Sequence, residues 1–185
     1  MKAWKFLEVN VLLRFLSLLV NPILIIVATV ILRLLPHLPN FAPITAMALF
    51  GGAHLNKRYA LAVPMLAMLI SDFFLGFHDT MPYVYASFFM VGLLGLWVRD
   101  HNNWKNILVA SFGSSILFFF VTNFGVWLSG WYPRTLNGLM ESYLMAVPFF
   151  RGTLAGDLFY TGVFFGGYEL MHSYLLKPAL QAKKA

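Results

Sequence analysis

The stretch Ser71–Tyr85, SDFFLGFHDTMPYVY, joins two long apolar runs and carries a carboxylate inside the first of them. Asp72 lies several residues before that run ends, and Gly76 and Pro82 mark a turn into the next run. A charged group inside a bilayer is costly, so an ionisable residue in such a place is a candidate functional group. The stretch therefore predicts two membrane helices joined by a polar turn, with Asp72 as a candidate site residue.

The composition of the whole chain supports a membrane location. Hydrophobic residues make up 60% of the 185 residues and charged residues only 11%, far from the balance of a soluble domain. The formal net charge of +6 comes from short basic clusters between apolar runs rather than from one polar face. Such clusters indicate membrane orientation and give no support to nucleic-acid binding. Cysteine is absent, which excludes disulfides, thiolate metal sites and a cysteine nucleophile.

Apolar runs too long for ordinary core helices recur along the chain and leave no stretch for a separate soluble domain. We therefore predict an all-α integral membrane protein with six transmembrane helices. The predicted spans cover residues 22–35, 41–55, 59–77, 82–98, 106–129 and 150–175.

The two ends of the chain are predicted to lie outside this bundle. Residues 1–20 are expected to form a retained, amphipathic interfacial segment, because no small-x-small cleavage site follows their apolar part. Asn21 and Pro22 then resemble a helix N-cap and first helical position, although a single tilted helix over 12–35 is the alternative. The membrane domain is assigned to residues 21–176 and a basic cytoplasmic tail to 177–185.

Two segments depart from a simple spanning helix. The second span is rich in glycine and alanine, which allows close helix approach, but it reaches only about 23 Å against a hydrocarbon core about 30 Å thick. Residues 131–151 are too mixed to span, and we expect a long loop with a short amphipathic helix near 137–147.

Basic residues concentrate in alternate connections, as the positive-inside rule requires. With six spans, ten of the 13 lysines and arginines fall on one side, and only Arg33, Arg134 and Arg151 fall on the other. Both termini are therefore predicted to be cytoplasmic. Loops 1, 3 and 5 then face the outside.

Three spans place a polar group at a similar depth. Asp72, Asn123 and Asp157 are each about 8–10 Å below the predicted outer surface at about 1.5 Å per residue. We predict that they converge on one cavity that opens to the outside and binds a small organic molecule. The alternative is that they only hold helices together, by hydrogen bonds or by pairing with Arg33 and Arg151.

Further residues near the outer face complete the candidate binding site. They are polar or aromatic side chains of the outer loops and the adjoining helix ends. The predicted substrate-binding residues are Arg33, Asn40, Asp72, His78, Tyr85, Asn123, Trp127 and Asp157.

Patterns for catalysis and cofactors are weak. His37, Asp72, His78 and Asp79 show no metal-ligand spacing such as H-x-x-x-H, so no metal site is predicted. Ser114 lacks a G-x-S-x-G context, and no catalytic nucleophile can be identified from the sequence. We predict that the chain is not an enzyme and needs no cofactor. His54, Glu169 and His172, near the cytoplasmic end, are interpreted as interfacial.

Four motifs together resemble one family. They are RLLPHLPNFAPITAMALFGGA at 33–53, SDFFLGFH at 71–78, TNFGVW at 122–127 and FFRGTLAGDLFY at 149–160. In this order they resemble an uncharacterised family of small bacterial transport proteins (DUF6580-like), related to substrate-binding S components of energy-coupling factor (ECF) transporters. The resemblance covers residues 22 to 175.

The resemblance implies a six-helix S-component-like bundle in the bacterial cytoplasmic (inner) membrane. Such a protein captures a vitamin or similar small micronutrient from outside, lies among membrane lipids, and associates with an ECF scaffold subunit and paired ATPases. A Walker A pattern is absent, in keeping with energy supplied by partners.

One feature departs from the S-component pattern. S components dock through A-x-x-x-A on the cytoplasmic half of the first helix, whereas the clear match here, Ala42 to Ala46, lies near the outer face. A scaffold-coupled and a solitary transporter therefore both stay open. The alternative function is a small structural scaffold without ligand, and an intramembrane enzyme would need a constellation that the sequence lacks.

Overall fold

The computed structural model describes residues 21–36 and 38–176. The interfacial segment predicted over 1–20 and the basic tail predicted over 177–185 lie outside the described residues. Within the described part the chain is all-helical, without strands. Its helices are α1 Pro22–Leu34, α2 Ile44–His54, α3 Ala62–Leu75, α4 Met81–Asp100, α5 Trp104–Leu128 and α6 Leu136–Thr161.

Local signals explain where several helices begin. The side chain of Asn21 accepts a hydrogen bond from the backbone N–H of Ile23, with Pro22 at the first helical position, as predicted. Asn103 accepts in the same way from Asn106, and Thr135 from Gly138. Because short connections join successive helices, neighbours in sequence run antiparallel.

Each end of the bundle is named by a loop residue. The Pro133 end holds the loop between α5 and α6, and the Asn103 end holds the loop between α4 and α5. These ends correspond to the predicted outer and cytoplasmic faces.

Two helices are long and apolar enough to cross a membrane, namely α4 and α5. Large apolar side chains are also exposed on every helix except α2, including Phe73 at 74% and Phe74 at 69%. Soluble proteins rarely expose so much contiguous apolar surface. These two features indicate association with a membrane.

The short helix α2 is the centre of the bundle. Every residue from Thr45 to Ala53 is buried, and α2 packs most extensively against α4 while also touching the other helices. Its 11 residues reach only about 17 Å, so it is too short to cross the hydrocarbon core alone. The predicted second span is therefore a short helix that the other helices rather than lipid surround, and its crossing of a membrane stays a prediction.

The last third of the chain also differs from the prediction. The expected long loop with a short helix at 137–147 is wrong, since α6 begins at Leu136 and continues through Pro148. A proline lacks a backbone N–H donor and usually interrupts a helix, so Pro148 suggested a break between the mixed segment and the last predicted span. After Thr161 the helical path continues through π-helical Gly162–Gly166, a short α-helical turn Gly167–Leu170, and π-helical Met171–Leu176.

Glycines set the closest contacts. A Cβ atom on Gly52 would lie 2.4 Å from the carbonyl oxygen of Gly92 and 2.7 Å from the Cα atom of Gly95. Only a residue without a side chain permits that crossing of α2 and α4. Gly152 and Gly156, four residues apart on α6, receive the backbone of residues 39–42 rather than another helix.

Arg99 caps the C-terminus of α2. Its guanidinium donates to the carbonyl oxygens of Gly52 at 2.5 Å and Ala53 at 3.1 Å, and also to that of Leu55. The last carbonyls of a helix have no partner within the helix, and here they are buried away from water.

Arg99→Ala is expected to lower the free energy of unfolding by about 2 kcal/mol, because it leaves these carbonyls unpaired. Denaturant titration in mixed micelles measures the change. Arg58→Ala is the control, since the exposed Arg58 lies in the neighbouring turn, and a change within about 0.5 kcal/mol is expected for it. Equal losses in both variants would contradict the capping role.

Candidate functional site

Asp72 belongs to a buried ion pair where α1, α3 and α4 meet. A guanidinium nitrogen of Arg33 lies 2.5 Å from Oδ1 of Asp72, and the hydroxyl of Tyr85 donates to Oδ2 at 2.7 Å. The two side chains of the pair are 13% and 4% exposed, respectively. The pair therefore joins three helices near the Pro133 end.

The other terminal nitrogen of Arg33 also has partners within the bundle. One nitrogen donates to the carbonyl oxygen of Met68 at 3.3 Å and to the hydroxyl of Ser71. With both carboxylate oxygens of Asp72 engaged, the network is internally satisfied. This network is built to hold helices together, and it leaves no carboxylate oxygen turned toward a solute.

The helical period explains why Asp72 faces inward. Ala67, Met68, Ser71 and Asp72 are buried along one face of α3, whereas the next residue, Phe73, is exposed. Residues three and four apart share a helix face, so Asp72 points toward Arg33 on the same face as Met68. Phe73, the next residue, points away from that face to the surface.

Asp157 lies in a different network, on α6. The hydroxyl of Ser115 from α5 donates to its Oδ2 at 2.7 Å, and the hydroxyl of Thr45 from α2 also bonds to its carboxyl. Ser111 and Thr161 share a hydrogen bond of 3.0 Å one turn further along. Asp157 is 2% exposed, and the only ion pair among the described residues is that of Arg33 with Asp72.

Asn123 lines a cavity between α5 and α6 toward the Pro133 end. The cavity has a volume of about 220 Å³. Asn40, at a positive φ of 58°, contributes from the loop before α2, and the side-chain amide of Asn123 donates to the carbonyl oxygen of Phe119 at 2.8 Å. The other lining residues used below are Phe118, Phe119, Phe149, Phe150 and Thr153.

Two predicted site residues lie elsewhere. His78 is exposed in the turn after α3, where its Nδ1 lies 2.9 Å from the hydroxyl oxygen of Thr80. The indole N–H of Trp127 donates to the carbonyl oxygen of Pro133 at 2.9 Å and so ties down the loop between α5 and α6. Neither residue lines the cavity at Asn123.

The expected convergence of Asp72, Asn123 and Asp157 is wrong in its geometry. The two acids share no hydrogen-bonding partner, and neither lines the cavity at Asn123. Equal depth along three helices does not make three side chains meet, since each also needs to point toward the same interface.

A second, larger cavity lies at the Asn103 end. Its volume is about 420 Å³, and its wall includes His54, which stacks on Phe50 at 4.3 Å between ring centroids. The indole N–H of Trp104 donates to Oε2 of Glu169 at 3.1 Å, and both residues line this cavity. His54, Glu169 and His172, interpreted above as interfacial, therefore line one cavity together.

Sequence reasoning also missed the hydroxyls around Asp157. Ser111 and Ser115 are four residues apart on α5, and Thr161 follows Asp157 by four on α6. The signal was present, because polar residues at a spacing of four within an apolar run share a face. Thr45 had no such signal, since it comes from a separate helix.

Comparison with known proteins identifies a family. Residues 14–180 match the family model described as "Family of unknown function (DUF6580)". Searches of curated proteins and of solved structures returned no match.

Proposed function

Because the chain belongs to the DUF6580 family of unknown function, its activity has to follow from its own residues, and we propose that it is a substrate-binding membrane protein for uptake of a small organic micronutrient such as a vitamin. The single observation that carries the proposal is the cavity between α5 and α6 at the Pro133 end. The proposed role of the protein, which is to capture a solute from outside, resembles that of an S component.

The walls of this cavity suit a ring-containing solute. Four phenylalanines provide apolar contact, and the side chains of Asn40, Asn123 and Thr153 provide a few polar groups. Ligand sites are typically apolar with a small number of polar groups that fix orientation. At about 220 Å³ the cavity fits one small ring system rather than a large cofactor such as a corrin.

The proposal includes a multi-pass arrangement in a bacterial inner membrane with both termini in the cytoplasm. Among the described residues, Lys57, Arg58 and Lys105 lie at the Asn103 end and Arg134 lies at the Pro133 end, whereas Arg151 lies inside α6 and is left out of this comparison. Arg33 and Arg99 are occupied by internal hydrogen bonds and are left out of this comparison. The remaining excess is consistent with a cytoplasmic Asn103 end but small, so the basic clusters at the termini carry most of the orientation argument.

Coupling to an ECF scaffold and its ATPases receives little support. Ala46 is 1% exposed in the centre of the bundle, and the backbone of Ala42 packs against Gly156. The A-x-x-x-A match is therefore not available as a docking surface. We favour a transporter that works without an ECF module.

Thr153→Trp is expected to fill the cavity and abolish retention of the solute, while the protein still inserts and folds. Native mass spectrometry of the protein in mild detergent measures retention as a mass increment over the bare chain. Val147→Trp is the matched control, because Val147 is on the same helix and 49% exposed. Loss of the increment in both variants, or in neither, would remove the cavity from the proposal.

A structural scaffold is the second candidate function. The observation that favours it is the Arg33, Asp72 and Tyr85 network, in which a buried acid only joins helices. Under this function the wild-type protein retains no solute at all, so the wild-type arm of the same measurement separates the two functions.

A further inference from the structure

The two cavities lie on one face shared by α5 and α6. On α5, Ile107 lines the cavity at the Asn103 end and Phe118 lines the one at the Pro133 end, about 16 Å apart. The hydroxyls of Ser111 and Ser115 lie between them at a spacing of four residues. We call this line of residues the polar track.

The same order holds on α6 and on the segment around α2. Along α6, Thr153 lines one cavity and Asp157 and Thr161 follow, and Phe165 of the π-helical segment after α6 lines the other cavity. Before and within α2, Asn40 lines the first cavity, Thr45 bonds Asp157, and His54 lines the second. Three separate segments therefore place polar groups along one path between the ends of the bundle.

Asp157 is the only acid along the polar track between the two cavities, among the described residues. Its described partners are hydroxyls, whereas Asp72 has both a guanidinium and a phenol. A buried carboxylate without a cation is far less stable than a neutral carboxylic acid, so burial here favours a bound proton. Its two hydroxyl neighbours can pair with both forms, because a hydroxyl donates to the carboxylate and can also accept from the O–H of the protonated carboxyl group.

No charged group from the surrounding helices compensates Asp157. The titratable groups nearest along its own helix are Arg151 and Tyr160, and α5 contributes only Lys105, near its first residue. On α2 the titratable side chain is His54, at the opposite end of that helix from Thr45. None of these forms an ion pair with Asp157 in the part of the chain that the structure describes.

We infer that Asp157 takes up and releases a proton between the two cavities, so that passage of the solute along the polar track is coupled to protons. The proton comes from water on one side and is returned to water on the other, and no bond other than its O–H bonds changes. Charging Asp157 favours opening of a cavity, since hydration stabilises the carboxylate, and neutral Asp157 favours the closed interior. The inference rests on the proposed function, because it takes the cavity at the Pro133 end as the entry site.

Infrared spectroscopy tests the proton directly on the wild-type protein in detergent. Across about pH 5 to 9 exposed carboxyls are mostly ionised, so a neutral-carboxyl C=O band in this range reports a buried acid. We expect a band that decreases as the pH rises and is absent from Asp157→Asn. A wild-type spectrum without any such band, or a band unchanged in Asp157→Asn, would overturn the inference.

Cysteine accessibility tests the coupling, and the absence of native cysteine makes single-cysteine reporters simple to build. Thr153→Cys reports on one cavity and Ser173→Cys on the other. The rate of labelling by a maleimide is normalised to that of the denatured protein at the same pH. We expect the ratio of the two rates to change at least about fivefold across the pH range, the lower limit of typical coupling between sites.

In the Asp157→Asn background this ratio should be independent of pH, with Asp157→Glu restoring the dependence. The same pH dependence in wild type and Asp157→Asn would refute the coupling.

Solute retention is measured separately by native mass spectrometry, so that failure of the coupling and failure of the proposed function can be distinguished. If the solute is retained but the pH response is absent, the coupling fails and the proposed function stands; if no solute is retained while the infrared band titrates, the proposed function fails.

Discussion

Asp72→Ala is expected to lower the free energy of unfolding by about 3–5 kcal/mol, because it leaves the guanidinium of Arg33 buried without its carboxylate. The two side chains are only 13% and 4% exposed, so water compensates little of this loss. The hydroxyl of Tyr85 also loses its acceptor. Unfolding in mixed micelles, followed by circular dichroism, measures the change.

The double variant Arg33→Met with Asp72→Leu is the control for this prediction. Replacing a whole buried ion pair by apolar residues is often neutral, so the double variant should recover most of the stability lost in Asp72→Ala. If Asp72→Ala folds with wild-type stability but loses solute retention, Asp72 is a binding residue, as the sequence suggested, and the structural role is wrong.

Gly52→Ala is expected to destabilise the bundle by about 1–3 kcal/mol or more, the range for overpacking of a well-filled interior. The added Cβ atom would meet the carbonyl oxygen of Gly92 at 2.4 Å and the Cα atom of Gly95 at 2.7 Å, and neither backbone atom moves without separating α2 from α4. Thermal unfolding in detergent and the yield of monodisperse protein both report the change.

Gly113→Ala is the matched control, because a Cβ atom on Gly113, within α5, has no atom within 4 Å. Alanine is favoured over glycine inside a helix, so this variant should gain about 0.5–1 kcal/mol. The two variants make the same chemical change and are expected to move stability in opposite directions. A similar loss in both would show that helix packing at Gly52 is not the cause.

Several elements followed directly from the sequence because their signals are local. The N-cap at Asn21 and Pro22 is an example, and so are the long apolar helices α4 and α5, predicted to within two residues at their ends. A cap depends on a few adjacent residues, and apolar content depends on composition alone.

Other features could be determined only from the folded structure. The central position of α2 was not readable, because a glycine-rich apolar run looks alike whether lipid or protein surrounds it. The pairing of Asp72 with Arg33 was named only as an alternative to a shared cavity. The hydrogen bonds of Asp157 with the hydroxyls of Ser115 and Thr45 depend on how α2 and α5 are rotated about their axes relative to α6.

By itself the sequence determined that the chain is all-helical and apolar, and where most of its helices begin and end, since hydrophobic content and helix capping are properties of neighbouring residues. Only the tertiary structure decided which polar groups meet. The direction of a side chain across the bundle depends on helix rotation and crossing, and these are set by contacts such as that of Gly52 with Gly95, between residues far apart in the chain.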